Sequence, residues 1–83
     1  MEKRLGFVGI IIADRKKAAP SVNNILTEFG DFVIARMGIP HVKSNYSVIT
    51  LIVDATTDEV GALTGKLGKL PGVSVKSALS KGK

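Results

Sequence analysis

Residues 46–78 read YSVITLIVDATTDEVGALTGKLGKLPGVSVKSA, and this stretch decides the fold. Tyr46 to Ala55 is rich in Ile, Val and Thr, and its length and β-branching make it a strand. Thr56 and Glu59 follow with the spacing of a capping box, in which a threonine at the N-cap and a glutamate three residues on satisfy two free N–H groups of a helix start. Val60, Leu63, Leu67 and Leu70 then recur at helical spacing and form one apolar stripe. Leu70-Pro71-Gly72-Val73 stops that helix, and Val73 to Ala78 returns as a strand.

The first half has the same rhythm. Residues 4–13, RLGFVGIIIA, are rich in Ile, Val and Phe and too short for a helix, so they form the first strand. A polar loop from Asp14 to Ala19 follows, holding Arg15, Lys16 and Lys17. Pro20 suits the first turn of a helix, where its missing N–H costs nothing. Val22, Ile25, Leu26 and Phe29 make that helix's apolar face, and Gly30 ends it. Asp31 to Ile39 is the second strand, and Gly38-Ile39-Pro40 through Asn45 is a turn or long hairpin loop. The order is β-α-β-β-α-β. Two right-handed βαβ crossovers interleave into an α+β, ferredoxin-like sandwich, a four-stranded antiparallel sheet with both helices on one face. We expect one domain over residues 1–83, with 79–83 a frayed tail.

In this fold the helices leave one sheet face open, so the strands should alternate apolar and polar. The two central strands do not. Leu5, Phe7 and Ile11 oppose Val8, Ile10 and Ile12 on the first, and Ile49, Leu51 and Val53 oppose Val48, Thr50 and Ile52 on the third. Burying one such side chain is worth about 1.5–3 kcal/mol, so an uncovered second face is unfavourable and marks an interface. A domain of 83 residues is also small enough to be marginal alone. We therefore expect a homo-oligomer, dimer or tetramer, assembled through the apolar sheet face or the strand edges. Gly61, Gly65 and Gly68 lie opposite the leucine stripe of the second helix, a smooth strip that another backbone could approach.

Chemistry is sparse. The chain has no cysteine, which removes disulfides, thiolate metal sites and iron–sulfur ligation. The single histidine, His41, lies in the second connection with only Ser44, Asn45 and the more distant Asp31 near it in sequence, too few ligands for a metal. Asp14, Asp54 and Asp58 lie near strand ends or a helix start, where loop hydrogen bonding and charge at a helix N-terminus account for them. No nucleophile, acid–base cluster, Walker loop or dinucleotide fingerprint is present, so we expect no enzyme and no cofactor. No run approaches the ~20 apolar residues a membrane span requires, and we expect a soluble, cytoplasmic protein without membrane association.

The strongest candidate site is the first strand-to-helix connection, Asp14, Arg15, Lys16, Lys17, Pro20, Ser21 and Val22, where three cations meet a helix N-terminus that favours anions. A small anionic or amino-acid ligand would dock there, with output through a protein partner. The alternative is a nucleic-acid-binding protein using this basic loop and the C-terminal tail, since the net charge is +5. Against RNA, the sheet lacks stacking aromatics: the chain offers only Phe7, Phe29, Phe32 and Tyr46.

ADRKKAAPSVNNILTEFG, residues 13–30, resembles the start of an ACT domain, whose first strand ends in an Asp followed by Pro-Gly and an apolar helix. Asp14 and Pro20 match, Ser21 stands in place of the glycine, and the loop is longer. The TTDEVGALTGKLGKLPGVSVKS segment fits the second half of the same pattern. Taken whole, the chain resembles the iron-only hydrogenase system regulator family, through RLGFVGIII, NNILTEFGDFVIARMGIP and LPGV. The resemblance implies an ACT-like fold, similar to the C-terminal regulatory domain of the nickel-responsive repressor. It also implies a role in transcription regulation or maturation control. That repressor's histidine-and-cysteine metal site does not carry over to a chain with one histidine and no cysteine.

Overall fold

Inward residues of the first strand, β1 (Arg4–Ile12), are Val8, Ile10 and Ile12, all essentially inaccessible to water. They pack with Ile49, Leu51 and Val53 of the third strand and with the apolar stripes of both helices. The computed structural model describes residues 2–82, the side chains of His41 and Val42 excepted. The elements run β1, α1 (Arg15–Glu28), a 3₁₀ turn (Gly30–Phe32), β2 (Val33–Lys43), β3 (Tyr46–Ala55), α2 (Thr57–Gly68) and β4 (Val73–Leu79). The sheet order is β2-β3-β1-β4, with every neighbour antiparallel. This is the expected βαββαβ sandwich.

The capping box of α2 forms as its sequence predicts. The Glu59 N–H donates to Thr56 Oγ1 at 3.1 Å, and the Thr56 N–H donates to Glu59 Oε1 at 2.8 Å. The turn after α2 closes with a Val73 N–H to Leu70 C=O bond of 3.2 Å, and Gly72 takes φ +75°. Pro followed by a left-handed Gly is the signature of a type II turn. The Ala13 N–H donates to the Gly72 carbonyl at 2.8 Å, which ties this turn to the end of β1.

Four boundaries differ from expectation. The segment expected as a loop from Asp14 to Ala19 is largely helix, because Asp14 caps α1 by accepting from the Lys17 N–H and Ala18 extends the buried stripe one turn back from Val22 and Leu26. Pro20 is the sixth residue of the helix rather than part of its first turn. It costs one backbone bond, to the Lys16 carbonyl, on a side of the helix where Pro20 and Lys16 both face water. Gly30 opens the 3₁₀ turn without left-handed geometry, so it is not a terminating glycine of the usual kind. The long connection expected from Gly38 to Asn45 is mostly strand, since β2 runs to Lys43 opposite Tyr46 and the reversal needs only Ser44 and Asn45. Ser44, at φ 54°, supplies the left-handed residue such a hairpin requires. At the other end, β4 extends to Leu79, and the Ser80 N–H donates to the Leu5 carbonyl at 2.7 Å.

The open face is as apolar as the strand pattern suggests. Leu5, Phe7 and Ile11 of β1 are 60%, 51% and 45% exposed, and Met37 on β2 is 70% exposed. Phe7 lies opposite Ile52, Ile11 opposite Val48, and Ile39 opposite Val48 on the other side, so the patch crosses three strands. Among the described residues, no helix is long and apolar enough to cross a membrane.

Candidate functional site

The start of α1, the β2–β3 reversal and the turn after α2 meet at one end of the sheet. The Arg15 N–H donates to the Asn45 carbonyl at 3.2 Å, and the turn at residues 70–72 is held to Ala13. Because Asp14 to Val22 is helical, its side chains are dealt to different faces at intervals of three and four residues. Asp14, Lys17 and Ser21 line a cleft of about 410 Å³ against Leu70, Pro71 and Gly72. Arg15 and Val22 line a second cleft, of about 160 Å³, on the other flank of the helix. Lys16 and Pro20 point away from both and are exposed. The seven expected site residues therefore do not form one loop site. Val22 is wholly buried and belongs mainly to the core.

The second cleft also holds residues that sequence reasoning missed. Arg36 reaches it from β2, with its Nη2 donating to Asn23 Oδ1 of α1 at 2.8 Å. Gly38 and Ser47 complete its strand side, and Ser47 is only 4% exposed, a buried polar residue in an apolar core row. One signal was available. Arg36 and Gly38 interrupt VIARMGIP at alternate positions, which places both on one face of that strand.

Acidic chemistry is confined to caps and pairs. Glu59 is held below the ordinary glutamate value near 4.5, first by its hydrogen bond with the Thr56 backbone, which outweighs the opposing effect of desolvation, and then by the nearby Lys3. Lys3 sits 3.4 Å from Glu59, and Lys66 sits 2.7 Å from Glu28; both pairs are exposed and contribute little to stability. Among the described residues, no three His, Asp or Glu side chains converge on a point. The question of a metal at His41 falls outside them.

The TM1266-like family model, which describes an iron-only hydrogenase system regulator, matches residues 4–77. The chain belongs to this family. The TM1266 protein of Thermotoga maritima is 39% identical, with a TM-score of 0.90 over 96% of this chain and 100% of that one. The ACT domain of the GTP pyrophosphokinase of Chlorobium tepidum has a TM-score of 0.77 at 19% identity, covering 92% of this chain and 99% of that one. CPII, a nitrogen regulatory PII-like protein of Thiomonas intermedia K12, has a TM-score of 0.54 at 17% identity, over 93% and 90% of the two chains. The last two likenesses concern the fold, which is that of an ACT domain. No curated protein matches the sequence. This member of the family thus has an ACT-like fold, with two clefts flanking α1 and an apolar open sheet face.

Proposed function

We propose that this chain is a non-catalytic regulatory module of the hydrogenase system, which assembles with copies of itself through its open sheet face and senses a small ligand beside α1. The observation that carries the reading is the exposed patch built by Leu5, Phe7, Ile11, Met37, Ile39 and Ile52. An apolar surface of that kind is unfavourable in water and is relieved by a like surface. The edges serve less well. The β2 edge carries Pro40, which cannot donate a ladder bond, and its pairing with β3 is irregular after Val33 and after Ile39. Family membership supports regulation as the purpose, and the clefts beside α1 supply room for a ligand at the end of the sheet.

The test pairs light scattering at micromolar concentration with a thermal-shift screen of amino acids, organic acids, nucleotides and metals. A dimer or tetramer that at least one of these compounds stabilises is the expected result. A monodisperse monomer that responds to none overturns the proposal. Arg15, Lys16 and Lys17 are exposed and join no ion pair among the described residues, which favours nucleic-acid binding as the second reading. Many phosphate contacts would give a steep fall of log K against log salt, whereas a small ligand held by one or two charges would give a shallow one.

A further inference from the structure

We infer that the cleft between α1 and the β2–β3 hairpin binds a small carboxylic acid that carries no ammonium group. The inference gives the sensed ligand a chemical class and rests on the sensing proposal for its biological use.

Charge comes first. Arg15 and Arg36 both line the cleft, no Asp or Glu does, and neither guanidinium joins an ion pair among the described residues. The Arg36–Asn23 bond orients one guanidinium over the opening without neutralising it, and a guanidinium has five N–H donors, most of which stay available. Two arginines on one small opening match the planar pair of oxygens of a carboxylate.

Shape comes second. Gly38 faces inward, paired with Ile49, in a strand where glycine weakens the sheet. A Cβ built there meets only the Ile49 side chain at 3.6 Å and the Val48 carbonyl at 4.0 Å, both ordinary contacts, and the backbone is not left-handed. Neither packing nor conformation requires glycine at this position. What the missing side chain does is leave the cleft open.

The lining chooses the class of acid. Ile12, Val22 and Ile49 form an apolar floor, with the Ser47 side chain set among them. At about 160 Å³ the cleft is close in size to an apolar cavity of ~150 Å³ that holds benzene, which suits a body of five or six non-hydrogen atoms such as propionate or pyruvate. An α-ammonium would find no carboxylate there, and the Asn23 oxygen already accepts from Arg36. Amino acids are therefore disfavoured against 2-oxo or simple aliphatic acids, and a phosphate would leave the apolar floor unused.

The test is an NMR titration of the full chain, ¹⁵N-labelled, with propionate, pyruvate, alanine and inorganic phosphate at constant ionic strength. We expect saturable shifts at the amides of Arg15, Arg36, Gly38 and Ser47 with the two acids, and alanine and phosphate at least about tenfold weaker. Gly38→Ala should weaken acid binding about tenfold with the fold retained, because its new methyl clashes with nothing. Arg36→Gln should do the same through loss of charge. Alanine or phosphate binding as tightly as the acids overturns the inference, as does unchanged affinity in Gly38→Ala. Acid shifts centred instead on Asp14, Lys17 and Gly72 also overturn it, while leaving the sensing proposal standing. No response to any acid overturns it too; the sensing proposal then fails only if the thermal-shift screen is silent as well.

Discussion

At Gly72 the backbone takes φ +75°, a conformation that a side chain makes unfavourable by about 1–2 kcal/mol. Gly72→Ala should therefore lower unfolding stability by roughly that amount in urea melts, with the fold retained, since the new methyl would meet Ala13 at an ordinary distance of 3.7 Å. Gly6 is constrained differently: a Cβ there would run into the Ala78 carbonyl and the Leu79 side chain, so close strand approach demands glycine. Glu59 sets an acid limit. Its carboxyl is held below the usual value near 4.5 in the folded chain, so its contribution is present above the unfolded value and is lost as pH falls through the folded one. Stability should decline on acidification below about pH 4.5, and Glu59→Gln should flatten that part of the pH profile while lowering stability at neutral pH.

Among the elements, α1 departs most from its sequence signals and α2 least. Pro20 is a strong marker of a helix start, yet the buried Ala18 and the Asp14 cap carry α1 a full turn beyond it. Helix starts are set by which turn can bury its apolar side, and a single alanine is a weak cue for that. In α2, Cβ atoms built on Gly61 and Gly65 meet nothing within 4 Å, and one on Gly68 meets only Val75 at 3.7 Å. Gly61→Ala with Gly65→Ala should raise stability by about 1 kcal/mol per position if that helix face is free. Loss of assembly in light scattering would instead mark it as a contact face between copies. Thr56→Ala should cost about 1 kcal/mol through the lost cap, seen as a lower melting temperature.

For the whole molecule, the decisive quantity is surface. The chain exposes 5375 Å², where a protein of 8.8 kDa ordinarily exposes about 4,800 Å². The excess follows from the elongated shape of the molecule, 42 × 19 × 17 Å, whose sheet is covered on one face only. Phe7 and Ile52 are cross-strand partners on that face and point away from the core, so Phe7→Lys with Ile52→Lys should give a folded monomer by light scattering and circular dichroism. An oligomer that survives both lysines would move the interface to an edge or to α2. The fold itself was legible along the chain because its signals are local. Strand β-branching, the Thr56–Glu59 box and the turn at residues 70–73 each involve neighbours a few residues apart. The doubly apolar β1 and β3 were legible for the same reason, since alternation is a property of consecutive residues. The clefts were not. Arg36 meets Asn23 only because β2 lies at the edge of the sheet above α1, and Ser47 and Gly38 join them through strand pairing. Which side chains share a cavity depends on contacts between distant segments and on where each helix turn begins, and only the packed tertiary structure sets those.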